Sequence, residues 1–128
     1  MEALKPKVAI DTSMLLAIGQ YKKDIFGDIT MMQGKTEFYV SKPVEMELDR
    51  VAGKNRTQQK RAIIARTLLS LNQARTIGTR TKSPDESLIE LAGKGYIIAT
   101  NDKAVRKKLK GFGHRIFYLN SRKITVSE

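Results

Sequence analysis

The sequence of 128 residues contains no cysteine and no tryptophan, and His114 is its single histidine. Without cysteine, the chain cannot form disulfides, thiolate zinc sites or iron–sulfur clusters, and it has no cysteine nucleophile. A single histidine excludes a catalytic histidine pair and any site within one chain that needs two imidazole ligands. Any chemistry must therefore use carboxylates, hydroxyls, amides, lysine or arginine. His114 follows Gly111-Phe112-Gly113 in a predicted turn and is interpreted as an exposed loop residue.

Long apolar runs are also absent, because each apolar stretch is short and flanked by charged residues. The sequence therefore predicts neither a signal peptide nor a membrane-spanning helix, and we expect a cytoplasmic protein without a membrane partner. The length predicts a single domain over residues 1–128, long enough to bury a core without covalent cross-links. Apolar residues make up 41% of the chain, which is typical of a compact globular protein.

Acidic residues are scarce relative to basic ones. The sequence has 24 Lys and Arg against 13 Asp and Glu, which gives a formal net charge of +11 and an isoelectric point near 10.0. A small domain of this charge attracts polyanions, so nucleic acid is the favoured class of partner. A surface network of ion pairs is the alternative, but such a network needs comparable numbers of both signs.

Short apolar strands alternate with helices along the chain. We predict strands at residues 8–10, 37–40, 77–79, 96–99, 115–119 and, as an edge strand, around 124–126. We predict helices beginning near residue 14 and at 24–33, 43–52, 57–74, 84–93 and 102–110. The alternation predicts parallel strand pairing with crossover helices, and hence an α/β fold with a three-layer α/β/α sandwich around a central parallel sheet. In the 57–74 helix, Ile64, Leu68 and Leu71 form the predicted apolar stripe.

Two carboxylates stand at the carboxyl ends of predicted strands. Asp11 ends the first strand, and Asp102 follows a later one. Ligands of open α/β sheets bind outside the carboxyl ends of the strands, so both acids lie in one crevice if their strands are neighbours. The alternative for each acid is that it only caps the helix that follows it.

A third carboxylate, Asp85, begins an apolar helical stripe. The motif Ser83-Pro84-Asp85-Glu86 is typical of a capping box, which accounts for Glu86 but not for Asp85. Asp85 is aligned with apolar residues at its i+3, i+4 and i+7 positions, so we expect it to face inward. A carboxylate there is costly to desolvate unless it is paired. In the helix opened by Pro43, Glu45 and Glu47 border the apolar face on opposite sides, and periodicity does not choose between them.

If Asp11, Glu47, Asp85 and Asp102 converge, they need a counter-cation. Two carboxylates about 5 Å apart repel by roughly 3 kcal/mol at an effective dielectric constant near 20. Without histidine or cysteine ligands, an all-oxygen cluster suits the hard cations Mg²⁺ and Mn²⁺, which activate water and stabilise charge on a phosphodiester. A structural salt-bridge cluster with Lys or Arg is the alternative. Small polar side chains beside the acids are candidates for supporting this cluster or for capping helices: Ser13, Thr100 and Asn101.

Four segments, in this order, resemble the motifs of the PIN-domain nucleases: Val8-Ala9-Ile10-Asp11-Thr12-Ser13, Glu47-Leu48, the segment 84–92 and Ile97-Ile98-Ala99-Thr100-Asn101-Asp102. The resemblance covers essentially the whole chain. It implies a three-layer α/β fold, metal-dependent cleavage of single-stranded or structured RNA, and an acidic cluster that binds Mg²⁺ or Mn²⁺. The implied catalytic and metal-binding residues are Asp11, Glu47, Asp85 and Asp102, supported by Ser13, Thr100 and Asn101. The family's Glu-Leu pair favours Glu47 over Glu45.

Two branches of this family compete as models for the chain. One comprises VapC-type toxins, which are ribonucleases held off by a cognate antitoxin, and the other processes ribosomal RNA in archaea and eukaryotes. Segments 100–109 and 116–119 resemble the processing branch more closely, so the leading hypothesis is an endoribonuclease in rRNA processing. Glu86 stands where processing nucleases often have a second Asp, and it is an optional further ligand. The alternatives are the toxin, a noncatalytic RNA-binding or ribosome-assembly module, and a PIN-fold protein that works only within a protein complex.

Basic residues form two clusters that we expect to contact RNA phosphates, which gives affinity with little sequence specificity. The predicted RNA-binding residues are Lys54, Arg56, Lys60, Arg61, Lys103, Arg106, Lys107 and Lys108. Tyr21 and Tyr39 either stack on bases or pack against the protein. The apolar residues of the 24–33 helix are interpreted mainly as core. The alternative is that they form a face for a homodimer or an antitoxin. Pre-ribosomal proteins are the other class of protein partner that we expect.

Overall fold

The computed structural model describes residues 5–127 of the chain. Its strands are β1 (Lys7–Ile10), β2 (Glu37–Ser41), β3 (Arg75–Ile77), β4 (Ile97–Ala99), β5 (Ile116–Asn120) and β6 (Lys123–Ser127). Its helices are α1 (Thr12–Tyr21), α2 (Ile25–Gln33), α3 (Lys42–Ala52), α4 (Arg56–Leu71), α5 (Pro84–Gly93) and α6 (Lys103–Gly111).

The strands form one sheet in the order β3-β2-β1-β4-β5-β6. Neighbouring strands are parallel except for β6, which pairs antiparallel with β5. The central strand β1 is an uninterrupted apolar run whose Val8, Ala9 and Ile10 are fully buried, as expected for a parallel strand covered on both faces. The sheet confirms the predicted α/β architecture, with the edge strand β6 running against the others.

The helices form two main groups that meet between α3 and α5. Helices α1, α3 and α4 contact one another, α5 contacts α6, and α3 also contacts α5. This division follows from right-handed crossovers, since the chain first moves outward from β1 to β3 and then returns to continue from β4 to β6. The direction therefore changes between β1 and β4, and ligand crevices of open α/β sheets form at such a point.

Two sequence predictions about local structure are wrong. The third strand covers residues 75–77 rather than 77–79. In α4, Ile64 and Leu71 are 44% and 73% exposed, whereas the small residues Ala62 and Ala65 are buried. The hydrophobic periodicity favoured the larger residues, but the first part of α4 packs closely against α1, and Leu68 and Leu69 pack against the core only near the end of the helix.

The closest approach of α4 is to Gly19 on α1. A Cβ atom at Gly19 would lie 3.0 Å from the Cα atom of Arg61, a distance that real Cβ contacts rarely show. Glycine therefore allows the two helix backbones to pack side by side.

Within residues 5–127, no helix has both the length and the apolar character needed to cross a lipid bilayer.

Candidate active site

Asp11 lies at the carboxyl end of β1, where its backbone joins the neighbouring strand. Its N–H donates to the carbonyl of Ala99 at 2.9 Å, which extends the pairing of β1 and β4 by one residue. Its carboxylate caps α1 and accepts hydrogen bonds from the backbone N–H of Thr12 at 2.7 Å and from two hydroxyls. Those hydroxyls belong to Thr100, at 2.7 Å, and Ser13, at 3.2 Å. The capping interpretation of Asp11 is thus correct, and it coexists with a position in the crevice.

Burial makes Asp11 unusual among the acids of the chain. The residue is 4% exposed, and its desolvation raises the pKa from 3.8 to about 6 although three hydrogen bonds favour the charged form. The negative charge of Glu47 contributes a further, smaller increase in the pKa of Asp11. A carboxylate held in a dry site with a raised pKa is a frequent feature of functional sites.

The Thr100 hydroxyl joins two of the predicted site acids. It donates to Asp11, and its oxygen accepts the backbone N–H of Asp102 at 3.1 Å. Asp102 in turn caps α6, accepting from the N–H groups of residues 104 and 105 at 2.9 and 3.1 Å. The supporting role predicted for Thr100 therefore corresponds to direct contacts with both acids.

Ser13 and Asn101 complete this network in different ways. The Ser13 hydroxyl donates to Asp11 and accepts the backbone N–H of Asn101 at 3.1 Å. The Asn101 side chain instead accepts the N–H of Leu119 on β5 at 2.9 Å. Asn101 thus fixes the loop between β4 and α6 to the sheet, and it supports the acids through its backbone.

A buried pair of serines connects the helices that carry Glu47 and Asp85. The hydroxyls of Ser41 and Ser87 are 2.8 Å apart. Ser87 donates its proton to the carbonyl of Pro84 at 2.6 Å, so Ser41 must be the donor between the two serines. The Ser41 oxygen also caps α3 by accepting the N–H of Val44 at 3.2 Å. The first turns of α3 and α5 are therefore fixed to each other, a role that the sequence analysis missed because serine caps are common.

Asp85 is exposed, which corrects the prediction that it faces the core. Leu88 and Ala92 on the same helical stripe are buried, but Asp85 lies in the first turn, beyond the covered part of the helix. Its pKa is raised by partial desolvation and then by the charges of Asp102 and Glu47, while Lys108 acts in the opposite direction. Asp85 accepts no hydrogen bond from residues 5–127 and is free for a ligand.

The structure distinguishes Glu47 from Glu45. Glu47 is close enough to Asp11 and Asp85 to raise the pKa of both. Glu45 instead accepts a 2.6 Å hydrogen bond from the Thr76 hydroxyl and pairs with Lys42, contacts that lower its own pKa. Repulsion thus connects Asp11 to Glu47, Glu47 to Asp85, and Asp85 to Asp102.

Cations of the protein do not neutralise this set of acids. Within residues 5–127, the one ion pair of the four acids joins Glu47 to Arg50, three positions along the same helix, with 3.7 Å between charged atoms. Such solvent-exposed pairs contribute little. The alternative of a structural salt-bridge cluster around the four acids is therefore wrong for the described residues.

The donor set fits a hard divalent cation, although the arrangement is open. Across the described range 5–127, no three acidic or histidine side chains are close enough to enclose a metal ion. Mg²⁺ typically keeps several waters and takes only one or two protein carboxylates, so it does not require an enclosed site. The mutual repulsion of the acids and the raised pKa values of Asp11 and Asp85 are the features that a bound cation would relieve.

The optional ligand Glu86 is exposed in the first turn of α5. Its backbone N–H donates to the Ser83 hydroxyl at 3.1 Å, which confirms the Ser83 half of the predicted capping box. His114, interpreted from the sequence as exposed, is half-buried beside the ring of Phe112.

The two predicted basic clusters differ in their relation to the acids. Helix α6 starts at the acids, because Asp102 caps it, and it carries Lys103, Arg106, Lys107 and Lys108. Lys108 lowers the pKa of Asp85, so it is close to that acid. In the second cluster Lys54, Arg56 and Lys60 are exposed at the start of α4. Arg61 is half-buried at the contact with α1, so its availability to RNA is lower than predicted.

The two tyrosines considered for base stacking lie in different environments. Tyr39 is buried and packs edge-to-face against Tyr96, with ring centroids 5.1 Å apart, so it belongs to the core. Tyr21 is 38% exposed near the start of α6. In the 24–33 helix, Ile25, Phe26 and Ile29 are buried in the core as expected.

Comparison with known proteins supports the resemblance in the sequence. A family model described as a PIN-like domain matches residues 8–122. Ribonuclease VapC9 of Archaeoglobus fulgidus is 31% identical to the chain over 115 residues, which cover 89% of this chain and 83% of that protein.

Two solved structures share the fold. The structure of the PIN domain endonuclease Utp24 is similar with a TM-score of 0.76 and 23% identity, covering 94% of this chain and 90% of that one. A domain of a functionally unknown protein from Methanocaldococcus jannaschii has a TM-score of 0.61 and 17% identity, covering 96% and 97% of the two chains. The family predicted from the order of the acidic motifs is confirmed, and the chain belongs to the PIN-like domain family.

Proposed function

We propose that the chain is an endoribonuclease that hydrolyses RNA phosphodiester bonds with Mg²⁺ or Mn²⁺. The observation that carries the proposal is the mutual repulsion of Asp11, Glu47, Asp85 and Asp102 at the carboxyl ends of the strands, which Lys108 and the exposed Glu47–Arg50 pair offset only in part. In this open arrangement, one or two of the four carboxylates would bind the metal directly, and the others would act through its bound waters. The identity to a protein named ribonuclease supports RNA as the substrate.

The chain's own groups have different roles in the proposed reaction. Asp11 is fixed by three hydrogen bonds and keeps one orientation, as a metal-binding carboxylate requires. Asp85 has a raised pKa and a free carboxylate, so it is suited to accept a proton from the attacking water. When bound, the divalent cation supplies water activation and neutralises charge on the phosphodiester. The lysines and arginines of α6 bind the phosphates of the strand.

We infer processing of ribosomal RNA as the role, with pre-ribosomal RNA and its proteins as partners. This inference rests on the resemblance of segments 100–109 and 116–119 to the processing branch. The second candidate is a VapC-type ribonuclease controlled by an antitoxin, which the 31% identity to Ribonuclease VapC9 favours.

A cleavage assay tests the proposal. Labelled ribosomal RNA fragments and unrelated single-stranded RNAs are incubated with the protein in Mg²⁺, Mn²⁺ or EDTA. We expect cleavage with either metal, none in EDTA, and a loss of at least about a hundredfold for Asp11→Asn. The matched control is Asp49→Asn on α3, which removes an exposed carboxylate paired with Arg66 and leaves cleavage unchanged.

Three results would contradict different parts of the proposal. Equal cleavage by wild type and Asp11→Asn would exclude the acidic site, and full activity in EDTA would exclude the metal. If the protein cleaved all RNAs equally and the product of a neighbouring gene inhibited it, the role in rRNA processing would be rejected in favour of an antitoxin-controlled ribonuclease.

A further inference from the structure

A polar groove extends from the candidate active site along one side of α6. It lies between the end of α1, the start of α6 and the β5–β6 turn, and its lining includes Tyr21, Asn101, Lys103, Arg106 and Arg122. Asn101 and Lys103 are the residues on either side of Asp102. Two residues of the groove thus flank Asp102 in the chain, and we call the groove the Tyr21–Arg122 groove.

The groove is positively charged and its charge is not compensated. Lys103, Arg106 and Arg122 contribute three cations, and the lining contains no carboxylate. Within residues 5–127, none of these cations forms a salt bridge, whereas several lysines and arginines elsewhere do. Uncompensated cations on both walls of a groove attract a chain of negative charges.

The two arginines are positioned by aromatic rings. The guanidinium of Arg106 stacks on the ring of Tyr118 at 3.8 Å from the ring centroid, and that of Arg122 lies 5.3 Å from the centroid of Tyr21. Stacking uses the faces of a guanidinium and leaves its in-plane N–H groups available to phosphate oxygens. Nε of Arg106 is buried and has no hydrogen-bond partner in the described part of the chain, so a phosphate would contact the terminal Nη groups of this arginine.

The turn that carries Arg122 has an unfavourable backbone. Ser121 and Arg122 have φ angles of 50° and 64°, and Asn120 pairs with Lys123 across this two-residue turn. Both central positions favour glycine or asparagine, so arginine is a poor choice for the backbone itself. Its presence is explained if the side chain is needed over Tyr21, since strained residues often occur at functional positions.

We propose that the Tyr21–Arg122 groove binds single-stranded RNA beside the scissile bond. A base stacks on the part of the Tyr21 ring that Arg122 leaves exposed, and neighbouring phosphates bind Lys103, Arg106 and Arg122. Single strands are favoured over duplex RNA because only unpaired bases can stack on a side chain. An exposed aromatic ring among the cations favours RNA over an acidic peptide, which offers charge without bases. The proposal rests on the proposed function for its substrate class.

The test measures RNA binding without cleavage, so that it is independent of catalysis. The affinity of the protein for a labelled 12-nucleotide RNA is measured by fluorescence anisotropy in EDTA at several salt concentrations. The variants are Tyr21→Ala, Tyr21→Phe and Arg122→Gly, and glycine suits the turn, so the last variant retains its fold. Lys35→Ser is the charge-matched control. Lys35 precedes β2 and therefore lies at the amino-terminal ends of the parallel strands, whereas the groove lies at the carboxyl ends.

We expect Tyr21→Ala to weaken binding by about fivefold to a hundredfold, and Tyr21→Phe to bind within about twofold of wild type. Arg122→Gly should weaken binding and reduce the salt slope by about 0.7, the value for one lost phosphate contact on a single strand. Binding by all variants equal to that of Lys35→Ser would overturn the proposal. It would also be overturned if duplex RNA competed as well as single strands. The proposal would also be overturned if the groove variants lost affinity for a poly-glutamate peptide but kept their affinity for RNA.

These outcomes are separable from those of the proposed function. Groove-dependent RNA binding by a protein that fails to cleave RNA would retain the groove and reject the nuclease. Metal-dependent cleavage by the wild type, together with unchanged RNA binding by the groove variants, would retain the nuclease and reject the groove.

Discussion

Thr100 and Asp11 are 89 positions apart in the sequence, yet the Thr100 hydroxyl donates a 2.7 Å hydrogen bond to the Asp11 carboxylate. The same hydroxyl oxygen accepts the backbone N–H of Asp102. A single buried oxygen therefore sets the position of one acid through its side chain and of another through its backbone. The relationship follows from the pairing of β1 with β4, which brings the carboxyl ends of the two strands together.

Replacing Thr100 by valine keeps the shape of the side chain and removes both hydrogen bonds. We expect the free energy of unfolding to fall by about 1–3 kcal/mol, because the N–H of Asp102 loses its acceptor. We also expect the pKa of Asp11 to rise above 6, because a hydrogen bond that lowers it is lost. The acid limb of the cleavage rate profile should therefore move to higher pH. Thr100→Ser keeps the hydroxyl and should behave like wild type, and an unshifted limb in the valine variant would contradict this role.

The raised pKa of Asp11 has a consequence for stability. Between pH 3.8 and about 6 the folded protein binds more protons at Asp11 than the unfolded chain, so this residue makes the protein more stable as the pH falls through that range. Asp11→Asn removes the cost of burying a charge. Without divalent cations at pH 7.5, we expect this variant to be more stable than wild type by roughly 1–3 kcal/mol. Urea denaturation at pH 7.5 and 5 measures both effects, and a less stable variant at pH 7.5 would contradict the assignment.

Glu47 and Glu45 provide a matched comparison on one helix. Each substitution to glutamine removes one negative charge from α3, but only Glu47 interacts with Asp11 and Asp85. We expect Glu47→Gln to reduce Mg²⁺-dependent cleavage by at least about tenfold and to raise the Mg²⁺ concentration needed for half-maximal rate. Glu45→Gln should lose its contacts with Thr76 and Lys42 and keep cleavage within about twofold. Equal losses in the two variants would point to helix stability instead of the site.

Glu90 holds the loop that leads to Asp85. Its carboxylate accepts the backbone N–H groups of Arg80 and Thr81 at about 3 Å, which lowers its pKa from 4.5 to about 2. The stability that these bonds provide is complete above pH 4.5 and is lost as the pH falls towards 2. Glu90→Gln should therefore flatten the pH dependence of the denaturation midpoint between pH 4.5 and 2, and Thr81→Val should change it less. If the denaturation midpoint of Glu90→Gln changed with pH as steeply as that of the wild type, this role of Glu90 in holding the loop would be excluded.

Much of the fold could be predicted from the sequence because its signals are local. The apolar run before Asp11, the serine and proline at the start of α5 and the alternation of strands with helices are each contained in a few residues. The burial of α4 could not be predicted in this way. Its fully buried residues are Ala62 and Ala65, and their burial in place of Ile64 depends on the distance to α1.

The part of the site that could be predicted from the sequence is the pair of acids that follow predicted strands. The positions of Asp11 and Asp102 follow from the sheet order, which the alternation of elements suggests. Periodicity could not separate Glu47 from Glu45, because that difference depends on which neighbours α3 contacts. The exposure of Asp85 depends on how far the sheet covers α5. Nothing in the sequence indicated a role for Arg122, because its contact with Tyr21 is created by a hairpin turn 101 positions further along the chain.

The glycine contact between α1 and α4 lies on the helix that Asp11 caps, at a distance from the acids. Gly19 is eight residues beyond Asp11 on the helix that Asp11 caps, which corresponds to about 12 Å of helical rise. Because Gly19 abuts the backbone of Arg61, any larger residue there would tilt or translate α1 as a rigid rod. We therefore expect a larger residue at Gly19 to displace both Arg61, a predicted RNA-binding residue, and the helix whose first turn Asp11 caps.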